Sequence, residues 1–247
     1  MASSRPFPHI STDGRNAAQT PGRSGDPNNL HVFSSVRLQQ IAGIALAPAG
    51  VPAGVVLLPH GAGGSRESPL LVRTCDEWAR RGWLAVRYNL PFRRRRPTGP
   101  PSGSARADQA GVAEAITLAH ALADGPVIAG GISYGGRLTS MAVAEEPGTV
   151  AALTLFSYPL HPPGKPERLR TGHFGAITAP TVFTHGASDP FGSITELRSA
   201  VALIPAGAEI VEVAGVGHDL GFSARVTKVP DVVATAVDAA LRRGGLG

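Results

Sequence analysis

Short apolar runs alternate with stretches of helical periodicity along most of the chain. Residues 55–58, 83–88 and 127–129 have the length and composition of buried strands, whereas 108–122 repeats apolar residues every three or four positions. The same criteria predict strands at 41–47, 150–156, 181–184 and 210–213, and helices beginning at Pro69, around Leu138, Met141 and Ala142, and at 231–243.

This alternation predicts an α/β fold with a mainly parallel sheet and helices on both faces. Ligands in such sheets bind beyond the carboxyl ends of the strands. Residues just after each strand are therefore the candidates for chemistry.

One uncharged segment, 41–58, has the length of a membrane-spanning helix. Pro48, Pro52 and Gly50 interrupt it, and such breakers favour two short strands joined by a turn. We therefore expect no membrane span here.

Composition indicates one globular domain, since the 247 residues are 43% hydrophobic and 17% charged. Residues 1–30 lack the apolar core of a secretory signal and are predicted to be a flexible tail before a domain at 31–247. The single cysteine, Cys75, is predicted to lie in the core, and it excludes an internal disulfide and a multi-cysteine zinc site. The cytoplasm is the default location.

The strongest chemical motif is G-x-S-x-G at residues 131–135, between a predicted strand and a predicted helix. On such a sharp turn, side chains at Gly131 and Gly135 would clash with neighbouring backbone, while Ser133 would be exposed as a nucleophile. A merely tight glycine-rich turn is the alternative interpretation. A phosphate-binding loop is not favoured, because the lysine and the following Ser/Thr are missing.

A nucleophilic serine needs a histidine base and a carboxylate that orients it, and in this kind of sheet the chain order is Ser, acid, His. His218 follows the last predicted strand in a glycine-rich loop, and Asp189 follows strand 181–184. Asp219 is a weaker choice, since it is adjacent to His218 and points elsewhere. A solvent-exposed loop histidine and a helix-capping Asp189 are the structural alternatives.

Two backbone amides are needed to stabilise a tetrahedral oxyanion. Tyr134, directly after the nucleophile, would supply one. The loop 60–64, His-Gly-Ala-Gly-Gly, would supply the other, with Ala62 as the predicted donor and His60 and Gly61 as candidate substrate contacts.

The net charge of +5 arises largely in the tail and in the arginine block 93–96. This block begins near the same sheet edge, so Arg93 and Arg94 are candidates for binding an anionic substrate group. A solvated basic loop is the alternative, and four arginines without interleaved aromatic residues do not favour nucleic acid binding.

The motifs G-I-S-Y-G, H-G-A-G-G, S-D-P and G-H, in this order, make residues 33–246 resemble the α/β-hydrolase superfamily. The longer strings PHGAGG, RYNLPF, GGISYGGR and SYPLHPPGKPERLR resemble its dienelactone-hydrolase-like branch, which includes a testis-expressed protein and a subunit of the NSL chromatin complex. The resemblance implies an eight-stranded sheet and a Ser133, Asp189, His218 triad. Dienelactone hydrolases typically carry cysteine where this chain has Ser133.

These observations predict a serine hydrolase that cleaves a carboxylic ester, thioester or lactone, with a small acyl compound as its partner and no metal or organic cofactor. The segment 157–180 is too short for a large cap domain, so the site is expected to be open. The alternative is a non-catalytic interaction module of the same fold, which would hold a partner through the arginine block or SYPLHPPGKPERLR. The sequence leaves the oligomeric state open.

Overall fold

The computed structural model of the protein describes residues 31–33, 35–221 and 229–243. Within them, the strands are β1 (His31–Phe33), β2 (Gly43–Ala47), β3 (Val55–Pro59), β4 (Leu84–Tyr88), β5 (Val127–Ile132), β6 (Ala152–Phe156), β7 (Thr181–Gly186) and β8 (Ala208–Val213). The helices are α1 (Val36–Gln40), α2 (Pro69–Arg80), α3 (Pro91–Arg95), α4 (Ala105–Ala119), α5 (Tyr134–Glu145), α6 (Ile194–Val201) and α7 (Val229–Arg243), with a 3-10 helix at Phe174–Ala176.

All eight strands form one sheet in the order β1-β2-β4-β3-β5-β6-β7-β8. β2 is antiparallel to both of its neighbours, and every pair from β4 to β8 is parallel. The predicted eight-stranded, mainly parallel sheet is confirmed. The chain leaves β3 toward β4 on one side and returns to β5 on the other, so the loops after β3 and β5 meet at the switch point where such sheets bind ligands.

Helices cover both faces of the sheet, as predicted. Strand β3 shows why, since its alternate residues face two separate cores. Val55 and Leu57 pack with apolar residues of α4 and α5, whereas Val56 and Leu58 pack with those of α2 and α7. Cys75 of α2 is fully buried in the second core, as expected.

Several local predictions need correction. The helices α3 and α6 were not predicted, and α3 occupies the arginine block that was expected to be a loop. Ser68, which directly precedes Pro69 and is expected from the sequence to cap this helix, makes no side-chain cap for α2, because its Oγ accepts the Ser65 amide instead. By contrast, the two short strands predicted on either side of residues 48–54 are confirmed as β2 and β3, and β4 lies between them in the sheet.

The segment between β6 and β7 contains only the short 3-10 helix and no α-helix. The prediction that the fold has no large cap domain is therefore confirmed. The candidate site at this edge of the sheet is consequently not covered by an inserted helical layer.

Two further predictions concern the amino-terminal tail and membrane spans. The predicted tail, residues 1–30, lies outside the described residues. Among the helices that the structure describes, none combines the length and hydropathy needed to cross a bilayer.

Candidate active site

Ser133 occupies the one-residue turn between β5 and α5. Its φ of 49° and ψ of −113° place it in the sparsely populated left-handed half of backbone space. Its amide donates to the Phe156 carbonyl over 2.8 Å, and its carbonyl accepts the Arg137 amide over 2.9 Å. The turn is thus held by strand β6 on one side and by helix α5 on the other.

The two motif glycines are required by close backbone approach, as predicted. A Cβ at Gly135 would lie 2.4 Å from the His60 carbonyl oxygen. Gly131 has a φ of 144°, and its Cβ would lie 2.9 Å from the Pro59 oxygen. The turn at Ser133 and the loop after β3 are therefore packed main chain against main chain.

Ser133, His218 and Asp189 form a continuous chain of hydrogen bonds. The His218 Nδ1 lies 2.8 Å from Oδ2 of Asp189, and its Nε2 lies 2.9 Å from the Ser133 Oγ. A carboxylate only accepts, so Nδ1 carries the proton and the neutral ring accepts the Ser133 hydroxyl proton at Nε2. The structure thus brings together the three residues that the sequence selected, and it is Asp189 rather than Asp219 that contacts the ring.

The loops that carry Asp189 and His218 are joined to each other. The Ser188 amide donates to the Val216 carbonyl over 2.9 Å, and a Cβ at Gly186 would lie 2.3 Å from the Gly217 oxygen. The imidazole of His218 therefore approaches the fully buried side chain of Asp189 from a fixed backbone.

Phe191 restrains both members of this pair and was not identified from the sequence. Its amide donates to Oδ1 of Asp189 over 2.8 Å. Its ring packs against that of His218 with centroids 4.3 Å apart. The sequence could have indicated only its amide contact, because an aspartate side chain commonly accepts the backbone amide two residues further along the chain.

His185 is a second buried histidine beside the acid. Its Nε2 donates to the Gly192 carbonyl over 2.7 Å and lies 3.8 Å from Oδ2 of Asp189. A carbonyl only accepts, so this nitrogen carries a proton. His185 therefore ties the loop 189–192 back onto the end of β7, and its Nε2 proton is used on the Gly192 carbonyl.

The loop 61–64 borders the nucleophile. A Cβ at Gly61 would lie 3.5 Å from the Ser133 Cβ. The Gly61 carbonyl accepts from Nδ1 of His60 over 2.7 Å and from the Gly64 amide over 3.1 Å. In a trans peptide the C=O and the next N–H point in opposite directions, so the Ala62 amide faces away from these two donors.

Tyr134, the other predicted oxyanion residue, is the first residue of α5. The first amides of a helix have no acceptor within it, so this N–H is available at the nucleophile turn. The Tyr134 hydroxyl instead donates to Oδ2 of Asp108 over 3.0 Å. Asp108 is buried, and its Oδ1 accepts the Phe92 amide over 2.9 Å. No motif or spacing in the sequence indicated that Asp108 contacts Tyr134 and Phe92.

His60 is placed differently from the predicted substrate contact. Its side chain is fully buried, and its Nε2 accepts the Leu90 amide over 3.2 Å. Burial lowers the pKa of His60 to about 4. The hydrogen bond from His60 to the Gly61 carbonyl raises this pKa, and the nearby charge of Arg93 lowers it. These contacts indicate that His60 is a neutral side chain that connects the loops after β3 and β4.

The two candidate arginines also contact backbone. Arg93 is only 5% exposed, and its guanidinium faces carbonyl oxygens. Arg94 is exposed and donates to the Gln40 carbonyl at the end of α1. These contacts differ from the predicted binding of an anionic substrate group.

A cavity of about 680 Å³ opens beside Ser133. Gly61, which was predicted to contact substrate, lies in its wall. The wall combines the loop, three apolar side chains of α2 and β5, and the triad edge, namely residues 61–64, Ser68, Pro69, Leu70, Ile132, Ser133, Phe191, His218 and Asp219. A further cavity of about 640 Å³ lies near the amino-terminal ends of β7 and β8, away from these residues. Among the described residues, no cluster of His, Cys, Asp or Glu could hold a metal ion.

Comparison with known proteins gives a family match over most of the chain. Residues 52–241 match the family described as "Alpha/beta hydrolase domain". A comparison with curated proteins finds no match.

Solved structures show the same fold. Est1E from Butyrivibrio proteoclasticus superimposes with a TM-score of 0.67 at 13% identity, covering 86% of this chain and 99% of that one. A dienelactone hydrolase from Anabaena variabilis gives 0.62 at 21% identity, covering 81% and 90%. A thermophilic esterase from the planctomycete Thermogutta terrifontis gives 0.63 at 19% identity, covering 90% and 94%. At such identities the likeness concerns the fold.

Proposed function

The chain belongs to the alpha/beta hydrolase family, and on this premise we propose that it is a serine hydrolase acting on a carboxylic ester, thioester or lactone. Ser133 is the proposed nucleophile, His218 the general base and acid, and Asp189 the residue that orients and stabilises the imidazole. The amides of Tyr134 and Ala62 are the proposed oxyanion donors.

The observation that carries this proposal is the pair of hydrogen bonds at His218, 2.9 Å to Ser133 and 2.8 Å to Asp189. A serine hydroxyl is a weak nucleophile until a base removes its proton. The His218 ring is held in the tautomer that can accept this proton. Ser133 itself has a strained backbone conformation and directly precedes helix α5, which begins at Tyr134.

In the acylation step, Nε2 of His218 takes the Ser133 proton while Oγ forms a bond to the substrate carbonyl carbon. Negative charge moves to the carbonyl oxygen and is stabilised by the two amides. The buried carboxylate of Asp189 stabilises the imidazolium. The intermediate then expels the alcohol or thiol, which takes its proton from His218, and leaves an acyl group on Ser133.

Deacylation repeats these steps with water. His218 removes a proton from water as the oxygen attacks the acyl carbon, and it returns this proton to the Ser133 Oγ as the ester bond breaks. The products are a carboxylic acid and the free enzyme, so no metal or redox partner enters the balance.

The cavity supports an uncharged acyl group as the preferred substrate part. Leu70, Ile132 and Phe191 supply apolar surface beside Ser133, whereas Asp219 adds a carboxylate to the same wall. The arginines of α3 are absent from this wall. An acyl chain of modest length therefore fits better than an anionic one.

Within the superfamily we propose that this protein is related to the dienelactone-hydrolase-like branch, because its strings PHGAGG and GGISYGGR resemble that branch. Ser133 in place of the cysteine typical there is the reason for including open-chain esters and thioesters beside lactones. A cytoplasmic location is part of the same proposal and rests on the single, buried cysteine.

Labelling with a fluorophosphonate serine probe tests the assignment directly. Wild type should be labelled, while Ser133→Ala and His218→Ala should lose labelling. Ser68→Ala is a matched control, because Ser68 lines the same cavity but donates its hydroxyl to the Ser65 carbonyl over 2.7 Å. The labelled proteins should then be assayed on p-nitrophenyl esters, acyl thioesters and lactones.

The outcomes separate the two functions that the sequence allows. Loss of labelling in the two triad variants, with labelling kept by Ser68→Ala, supports the hydrolase. An unlabelled, folded wild type would contradict it and would favour an interaction module of the same fold. Equal labelling of Ser133→Ala would place the reactive serine elsewhere.

A further inference from the structure

Arg93 is a buried cation behind the loop that lines the catalytic cavity. It makes four hydrogen bonds, and all are to backbone carbonyls: Ala62 at 3.0 Å, Gly64 at 2.8 Å, Gly99 at 2.9 Å and Arg96 at 3.2 Å. Within the described part of the chain it has no carboxylate partner at ion-pair distance. The positive charge of the guanidinium is therefore stabilised by the dipoles of backbone carbonyl groups.

A buried guanidinium is stable only when its donors are satisfied. Here the planar fork meets carbonyls from two loops, residues 62–64 and 96–99, and its carbon also lies 4.9 Å from the centre of the Phe92 ring. The donors of arginine have fixed relative directions, unlike those of lysine. The two loops are consequently held in one relative position.

The loop that Arg93 holds has little rigidity of its own. Gly61, Gly63 and Gly64 make up three of its four residues, and glycine loses more backbone entropy on ordering than any other residue. A Cβ at Gly63 would meet nothing within 4 Å, so packing does not restrain that position. Besides the bond from the Gly64 amide to the Gly61 carbonyl, hydrogen bonds from outside the loop therefore contribute to its conformation.

Arg93 contacts this loop from outside the cavity that contains Ser133. Residues 61–64 line the cavity that contains Ser133, whereas Arg93 lines a separate hollow with Gly63, Gly64 and Gly99. Because the Ala62 carbonyl points to Arg93, the Gly63 N–H in the same peptide plane points away from it. The preceding peptide plane, which carries the Ala62 N–H, is attached to the same Ala62 Cα, so a hydrogen bond that holds the Ala62 carbonyl also restrains this N–H.

We propose that Arg93 is a positioning residue for catalysis. It fixes the 61–64 loop so that the Ala62 amide can stabilise the oxyanion. It does not touch substrate. The inference rests on the proposed hydrolase function and assigns to the first arginine of the block a different purpose from anion binding. Preorganised donors matter because they are not required to reorient as charge develops.

The test compares Arg93→Ala and Arg93→Lys with Arg94→Ala, an exposed neighbour in the same helix, on p-nitrophenyl butyrate and on the anionic p-nitrophenyl hydrogen succinate. For Arg93→Ala we expect kcat to fall about 10²-fold to 10³-fold on both esters, comparable to the loss of one oxyanion donor, with little change in KM. Arg93→Lys should fall between it and wild type, because lysine keeps the charge but not the fork. Added methylguanidine should restore part of the kcat of Arg93→Ala, and Arg94→Ala should resemble wild type.

Hydrogen exchange provides a readout that does not depend on turnover. The Gly64 amide, bonded to the Gly61 carbonyl over 3.1 Å, should exchange at least about tenfold faster in Arg93→Ala than in wild type. If Arg93→Ala does not fold, the same comparison is made with Arg93→Lys. An inactive, unlabelled wild type would refute the hydrolase, while exchange at residues 61–64 would still report whether Arg93 holds the loop.

Three results would overturn the proposal. Unchanged exchange in the loop would mean that Arg93 does not hold it. A raised KM confined to the anionic ester, with kcat unchanged, would show that Arg93 binds substrate. Faster exchange with unchanged kcat would likewise reject a contribution to catalysis.

Discussion

His218 is held against Asp189 from two directions. Its Nδ1 donates to Oδ2 of the carboxylate over 2.8 Å, and its ring packs on Phe191, whose amide donates to the other carboxylate oxygen. The acid is therefore oriented by backbone at one oxygen and orients the base with the other. Both the tautomer and the direction of the ring depend on this carboxylate.

Asp189→Asn should lower kcat on p-nitrophenyl butyrate by about 10⁴-fold, because an amide can donate to Nδ1 and leave the proton on Nε2. Asp219→Asn is the matched control, since Asp219 is adjacent to His218 but its Oδ1 accepts the Gly221 amide. Its kcat should stay within the order of magnitude of wild type. The reverse ranking of the two variants would identify Asp219 as the acid.

Gly135→Ala should destabilise the fold by at least about 2 kcal/mol, because its Cβ would lie 2.4 Å from the His60 carbonyl oxygen. Gly172→Ala has open space around its Cβ and should change stability little. Urea denaturation measures both free energies of unfolding. Equal stability of the two variants would mean that the turn and the loop after β3 are not packed as closely as described.

The stability of the protein should fall as the pH is lowered from about 6.5 to about 4. The pKa of buried His60 is lowered to about 4, so the unfolded state binds a proton in this range that the folded state does not. The contribution is on the order of 3 kcal/mol at full extent. Below about pH 4 both states are protonated and this slope ends.

His60→Asn removes the titrating group and keeps a donor for the Gly61 carbonyl, so its free energy of unfolding should depend less on pH in the same interval. His120→Asn, at an exposed position, is the control and should keep the wild-type slope. Urea titrations at pH 4, 5, 6 and 7 make the comparison. Parallel curves for wild type and His60→Asn would contradict a depressed pKa at this site.

Tyr134→Phe should retain kcat within the same order of magnitude, because the proposed oxyanion contact is the backbone amide. It should lose about 1–3 kcal/mol of stability, since the Asp108 carboxylate loses the donor that lies 3.0 Å away. Steady-state kinetics and urea denaturation on the same preparation separate these effects. A large fall in kcat without a change in stability would instead place the phenol in the reaction.

The elements followed from local patterns to different degrees. β3 and α2 were predicted within a residue or two, because a run of buried apolar residues and a helix beginning at Pro69 carry their own signals. The short helix α3 had only Pro91 at its first position as a signal, and the four consecutive arginines at 93–96 are typical of a solvated loop. Its helical conformation depends on contacts with other segments, including the Asp108 carboxylate that accepts the Phe92 amide.

The sequence by itself determined most of the order of strands and helices, though not β1, α1, α3 or α6, and also the turn at Ser133 and the chain order of Ser133, Asp189 and His218. These follow from periodicity and from glycines whose spacing matches a turn that no larger residue could form. The prediction of the acid depended on position after a strand, which a parallel sheet converts into position at one edge.

Only the tertiary structure decided which side chains meet. Ser133 and His218 are 85 residues apart in the chain, and Arg93 reaches Ala62 across 31. The positive charge of Arg93 suggested a ligand of opposite charge, but burial pairs it with carbonyl dipoles that every residue possesses. Backbone acceptors leave no trace in the identity of the residues that supply them, so such a contact is determined by the fold and not by any local pattern.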